Sequence, residues 1–372
     1  EMSGSYQEGS PMLLFRVASA AAAPSSSTTT IPHLPVRYEP LISLEHVNIN
    51  AGGTWTEQLS RFWFSVMGGA DDPRGAVVCS QVQAAGGPMQ GLHWANFGLQ
   101  QFHLPVGEPE DSVQVVRGEV GLAYTTEELA ALQRRLEDAS ATHAVGADGS
   151  LRITCPVGNR LRAVEWAGAE TWFGPKLLLD PREERPLPGG PSRGLGIQYV
   201  RFDVPEGAAA GICRFYLRLF GATAEVGREG RRPVCVVWLG HHQSLQFAEA
   251  LPGEPPVRRY DGHHVALYTN DFAAVYERSR EAGLVWNNPR FPHLRYDSLA
   301  HALRHSEFRL KDLTDPDTGE LLYTLEHEVR SVMHPGFSCR HWIAAEGEAA
   351  KEMVGDYPTT PASPAFPDRE EL

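Results

Sequence analysis

Long apolar runs are missing from this 372-residue chain. None reaches the roughly 18–20 residues that a membrane-crossing helix requires, so no membrane partner is expected. Cysteine is scarce. Cys79, Cys155, Cys213, Cys235 and Cys339 are dispersed, with no CxxC spacing. An odd, scattered set argues against a disulfide framework and predicts free buried thiols in a reducing compartment. Basic charge is short as well: 33 Lys and Arg stand against 46 Asp and Glu, a formal net charge of −13 with a pI near 5.6. Nucleic-acid binding rests on clustered Lys and Arg, so no nucleic acid is expected as a partner. An anionic membrane surface is disfavoured for the same reason. A small-molecule substrate is left open.

What is present is ordinary in bulk, at 42% apolar and 21% charged residues, with enough chain for two to three domains. Its informative feature is a repeat. Leu44-Glu45-His46-Val47-Asn48-Ile49-Asn50 followed by Arg61-Phe62-Trp63-Phe64 and Gly68-Gly69 returns as Ile197-Gln198-Tyr199-Val200-Arg201-Phe202-Asp203, then Arg214-Phe215-Tyr216-Leu217 and Gly221-Ala222. The offset is constant at 153 (Leu44 to Ile197). A strand-then-helix unit recurring at half-chain spacing predicts a duplicated architecture.

Residues 1–39 are excluded from the fold. Residues 12–35 are rich in Ala, Ser and Thr, contain Arg16 and have no acid, which suits either an organellar transit peptide (chloroplast or mitochondrion) or a low-complexity leader on a cytoplasmic protein. A first domain is expected over 40–172, a Pro/Gly-rich linker over 173–196, a second domain over 197–333 and a disordered acidic tail over 334–372. Within the first half the pattern predicts a strand at Leu41–Asn50, a helix at Thr56–Met67 and strands at Ala76–Ala84 and Gly91–Pro105. A strand at Glu119–Thr125, a helix at Thr126–Glu137 and strands at Leu151–Cys155 and Arg160–Trp166 follow. Thr125 or Thr126 precedes acids as an N-cap would. The second half predicts strand 197–204, helix 211–220, strands 233–239 and 244–249, strand 264–269, helix 271–282, and strands 307–311 and 320–327. The order is β-α-β-β-β four times over, an α+β class.

Alternation separates two faces of each opening strand. Val47 and Ile49 point one way, and His46, Asn48 and Asn50 the other; Val200, Phe202 and Val204 oppose Tyr199, Arg201 and Asp203. A helix covers each apolar face. Three successive polar side chains on the other face need water or a ligand, because burial without partners costs on the order of 1–3 kcal/mol each. A cavity cupped by the sheet satisfies them.

In these features the chain resembles the vicinal oxygen chelate superfamily, which includes glyoxalase I, extradiol dioxygenases and bleomycin-resistance proteins. The resemblance covers residues 41–172 and 197–330. It rests on the fourfold βαβββ order, on Leu44-Glu45-His46-Val47 and Gly262-His263-His264-Val265-Ala266-Leu267, and on two turns, Asp315-Pro316-Asp317-Thr318-Gly319 and Cys155-Pro156-Val157-Gly158-Asn159. It implies four βαβββ modules forming two glyoxalase-like domains with cupped mixed sheets. It also implies a divalent metal held by side chains on the first, fourth, fifth and eighth strands of each domain. In the first half those places carry His46, Gln101 or His103, Glu119 and Glu165; in the second, Tyr199, Gln246, His264 and Glu326. The expected metal ligands are therefore His46, His103 and Glu165, with His264 and Glu326 a weaker second pair. Glu119 is a fourth ligand or general base, and Asn48, Gln101, Tyr199, Arg201 and Gln246 are substrate contacts. Imidazole with carboxylate suits Fe, Zn, Ni or Mn.

His327-Glu328 begins like HExxH but meets Ser331 where the second His belongs, which removes a zinc-protease reading. The leading expectation is a metal-dependent glyoxalase- or dioxygenase-like enzyme acting on a small oxygenated organic substrate. The alternatives are a metal-free small-molecule binding protein of the bleomycin-resistance type and an assembly subunit without chemistry. A homodimer is among the expectations.

Overall fold

Leu41, Leu44 and Val47 are fully buried and open the first strand of the fold. The computed structural model describes residues 40–84, 86, 89–107, 113–166, 192–240, 242–334 and 337, all within one folded unit, His33–Leu372. The first module comprises β1 (Leu41–Asn48), α1 (Glu57–Ser60, continued by a wider turn over Arg61–Val66), β2 (Ala70–Asp71), α2 (Arg74–Ala84), β3 (Gly91–Phe97) and β4 (Gln100–Val106). The second has β5 (Gly118–Tyr124), α3 (Thr126–Asp138), β6 (His143–Val145), β7 (Leu151–Thr154) and β8 (Arg160–Glu165). The third has β9 (Gly196–Val204), α4 (Ala208–Phe220), β10 (Ala224–Glu229), β11 (Arg232–Leu239) and β12 (Gln243–Glu249). The fourth has β13 (His264–Thr269), α5 (Phe272–Glu281), α6 (Leu299–His305), β14 (Glu307–Thr314) and β15 (Leu321–Ser331).

The α+β class and the four modules are as expected, with local exceptions. The stretch predicted as strand Ala76–Ala84 is helix α2. Pro73 precedes it, and the Asp72 carboxylate accepts from the Arg74 backbone N–H at 3.0 Å, so Asp72 and Pro73 start a helix that a short apolar run cannot distinguish from a strand. Thr125 caps α3, accepting from the Glu128 N–H at 3.2 Å. In the fourth module α6 and its preceding loop take the place of one strand, leaving only an isolated Val285–Leu310 bridge.

The sheets are not built from contiguous halves. One sheet runs β14-β15-β13-β1-β4-β3-β2 and the other β10-β11-β12-β9-β5-β8-β7-β6. Module one therefore shares its sheet with module four, through antiparallel β1 and β13, and module two with module three, through antiparallel β5 and β9. The expected division into domains at 40–172 and 197–333 is corrected accordingly: each sheet takes one module from each half. The leader 1–39, most of the linker and nearly all of the tail lie outside the described residues.

The apolar faces of the two sheets meet. Phe202 of β9 and Phe247 of β12 pack against Tyr323 of β15, with ring centroids 6.1 and 6.3 Å apart. Helix α4 buries Ile212, Phe215, Tyr216 and Phe220, each worth about 1.5–3 kcal/mol of burial. It is tied to β11 by a Cys213–Cys235 disulfide with Cα atoms 5.7 Å apart. That bond corrects the expectation that all five cysteines are free; Cys79 and Cys155 are free and buried. Because the apolar faces point at one another, the polar faces turn outward as two separate cups.

Candidate metal centre

The first cup is the polar face of the sheet that joins modules one and four. A bulge in β1 sets Leu44 opposite Leu267 and His46 opposite Ala266, leaving Glu45 as the extra residue beside His46. Asn48 lies opposite both His264 and His103, and Gln101 beside His46. On β15, Glu326 stands beside His264 and Glu328 beside Ala266. Ala266 thus separates His46 from Glu328 by a single methyl group, and the two longer side chains approach across it.

Three ligand atoms converge there. His46 Nε2 lies 3.4 Å from His264 Nε2, and Glu328 Oε2 lies 3.8 Å from the first and 3.6 Å from the second. His46, His264 and Glu328 are all buried. With metal–ligand bonds of about 2.1 Å, neighbouring ligands in a tetrahedral site lie about 3.4 Å apart. The observed spacings fit one ion. The tautomer fits as well: His46 Nδ1 donates to Glu45 Oε2 at 2.5 Å, which leaves the Nε2 lone pair facing the cluster. A carboxylate behind a ligating imidazole is the usual way such a ring is oriented.

The surroundings are ionic. Arg309 bridges Glu326 and Glu328, at 2.5 Å to each. Arg330 pairs with Glu328 and, at 2.6 Å, with Glu45. Burial alone would raise the Glu328 carboxyl, but Arg309 and Arg330 outweigh it and hold the group well below the usual carboxylate range. Glu326 is lowered in the same way: burial opposes, and Arg309 and His264 prevail. Burial, then repulsion from Glu328, pushes Glu307 up to about 7. With the ligating imidazoles counted as neutral, Glu45, Glu326 and Glu328 against Arg309 and Arg330 leave one formal negative charge, and ionisation of Glu307 adds a second. A divalent cation cancels them. Burial lowers His46, which keeps its ring neutral despite Glu45, and lowers His103 well below the usual range.

His103 is a wall and not a member of the cluster. Its ring is sandwiched between His46, with centroids at 3.7 Å, and Trp94, at 4.3 Å. Its Nε2 lies 3.0 Å from Gln101 Oε1, and Gln101 Nε2 donates to Asp72 and Asn96 at 2.9 and 2.8 Å. Glu326 accepts from Asn288 Nδ2 at 3.1 Å besides its bond to Arg309.

The remaining expected residues lie on the other sheet. Glu119 on β5 accepts from the Tyr199 hydroxyl at 2.7 Å, and Arg201 pairs with Glu229 at 2.5 Å. Gln246 donates to Ser244 at 3.3 Å. Glu165, at the end of β8 opposite Tyr124, accepts from the Thr126 hydroxyl at 2.6 Å and is exposed. The set His46, His103 and Glu165 is therefore not one site, and Glu119 does not face His46. The cause is module pairing: the sequence repeat is the same whichever modules share a sheet. Glu45, Glu328, Arg309 and Arg330 escaped sequence reasoning. Alternation places Glu328 on the same face as Glu326, a signal that was there; the bulge that exposes Glu45 leaves no such trace.

In fold the chain is similar to glyoxalase I. The solved structure of a point mutant of that enzyme from Zea mays matches with a TM-score of 0.47 at 10% identity, covering 77% of this chain and 92% of that one. A dioxygenase candidate from Bacillus subtilis matches with a TM-score of 0.47 at 14% identity, covering 85% of this chain and 91% of that one. No protein-family profile and no curated protein matches the chain.

Proposed function

We propose that the chain is a divalent-metal-dependent enzyme of the glyoxalase or dioxygenase kind, acting on a small oxygenated organic substrate, with the ion held by His46, His264 and Glu328. The observation that carries this reading is the mutual spacing of those three ligand atoms, with Glu45 fixing the His46 tautomer behind them. Two histidines and one carboxylate leave coordination positions open and suit non-haem iron, zinc, manganese or nickel. Such an ion supplies Lewis acidity, polarising substrate oxygens.

The chain's own groups divide the remaining work. Glu45 holds the proton on His46 Nδ1, and Arg309 with Arg330 keeps Glu328 ionised and aimed. Glu326, held by Arg309 and Asn288, is the second carboxylate of the cup and stands beside His264. Trp94 and His103 stack in turn behind His46 and brace its ring. The test is elemental analysis of the purified protein after reconstitution with Fe(II), Zn, Mn and Ni in turn. Near-stoichiometric metal that disappears in His46→Ala supports the enzyme. No retained metal with any of the four moves the reading to a metal-free binding protein.

A further inference from the structure

The second cup repeats the first position for position in register, with different side chains. In the first sheet His46 lies opposite Ala266, and Ala266 opposite Glu328. In the second, Tyr199 lies opposite Gly121, and Gly121 opposite Arg162. Asn48 opposite His264 becomes Arg201 opposite Glu119. The three ligand positions His46, His264 and Glu328 thus become Tyr199, Glu119 and Arg162. Only Glu119 among them is a metal ligand, and it is engaged by the Tyr199 hydroxyl. A β-carbon on Gly121 would meet the Tyr199 ring at 2.1 Å, so the glycine is what lets that ring lie across the cup floor.

Where the first cup is packed with ligands and ion pairs, the second holds a cavity of about 510 Å³. That is room for a small organic molecule. Its wall carries five guanidinium groups, Arg152, Arg160, Arg162, Arg201 and Arg232, against the carboxylates of Glu119, Asp203 and Glu229, on a chain whose net charge is −13. The arginines are anchored but not saturated: Arg160 by Asp203 and the Gly118 carbonyl, Arg162 by Asp148, Ser150 and the Tyr199 hydroxyl, Arg201 by Glu229, Arg232 by Glu254 and the Glu249 carbonyl. An arginine has five N–H donors, so these anchors orient the side chains and leave donors over. The Arg152 guanidinium has no partner among the described residues.

We propose that the second cup is a metal-free binding site for a small organic anion, whose carboxylate or phosphate group is held by Arg152 and Arg162. Paired arginines recognise such planar or tetrahedral oxyanions through charge-assisted, bidentate hydrogen bonds. The inference stands independently of the metal proposal, since it uses the other sheet.

The test is isothermal titration of the full chain with malonate and, separately, with inorganic phosphate, at constant ionic strength set by chloride. Saturable binding of either ligand is expected, and the tighter one identifies the oxyanion. Arg152→Ala and Arg162→Met are expected to weaken it about tenfold each, the loss of one charge-assisted contact. Glu229→Gln, which releases Arg201, tightens binding, and His46→Ala leaves it unchanged. Because Arg152 is exposed, its variant keeps the fold even where Arg162→Met does not. No heat beyond the chloride control, or equal affinity in Arg152→Ala, overturns the proposal; binding that vanishes in His46→Ala moves the anion to the first cup and overturns it too.

Discussion

Replacing Glu45 by Gln keeps the size of the side chain and removes its charge. In the native chain the Glu45 carboxylate lies 2.5 Å from His46 Nδ1 and 2.6 Å from Arg330 Nη1. Two effects follow for a metal at His46, His264 and Glu328. The imidazole loses the carboxylate that fixes its proton and raises its basicity, which typically costs 10- to 100-fold in metal affinity, or about 1.4–2.7 kcal/mol. Arg330, freed of one acid, then leans its whole charge on Glu328 and makes that carboxylate a poorer ligand. Both act in the same direction, so the upper end of about 100-fold is expected. Competition of the protein against a chromophoric zinc chelator measures it, with thermal unfolding of both metal-free proteins as the control for folding. An unchanged affinity in a folded Glu45→Gln protein would falsify the assignment of His46 as a ligand.

Other substitutions separate the parts of the account. Glu328→Gln abolishes metal binding and also leaves Arg309 and Arg330 short of a partner in a buried site, a loss of about 3 kcal/mol by urea unfolding; an undisturbed midpoint means that the network is slack. Glu165→Gln leaves metal affinity at the native value in the same competition assay, because the residue lies on the other sheet; any loss restores the original ligand set. Cys213→Ala lowers stability by about 3 kcal/mol, since the Cys213–Cys235 bond closes a separation of 22 residues. Dithiothreitol should lower the native melting temperature to that of the variant, and insensitivity to it would show that the two thiols are free.

The repeat at an offset of 153, the alternation in β1 and β9 and the Thr125 cap were legible because each is a local pattern with a fixed period or a fixed chemistry. Module pairing was not. β1 can close on β5 or on β13 without changing a single residue of its own pattern, so His46 could be placed on a cup face but not given its partners. Glu165 and Glu326 each lie seven residues past a turn glycine, Gly158 and Gly319, so that counting from the turn makes them counterparts. The sheet register undoes that match, because Glu326 stands beside His264 whereas Glu165 stands beside Tyr124 at a strand end. Strand β15 is longer, and irregular pairing with β14 shifts its register, which no count from a turn can anticipate. His264 and Glu326 were placed near the right strands for a reason that survives: polar residues on the inner face of a cupped sheet have to meet something.

Anomalous diffraction at the absorption edge of the reconstituted metal locates the ion directly. A peak within bonding distance of His46 Nε2, His264 Nε2 and a Glu328 oxygen is the predicted result. A peak beside Glu119 and Tyr199, or none in a crystal whose protein was loaded to stoichiometry, contradicts it.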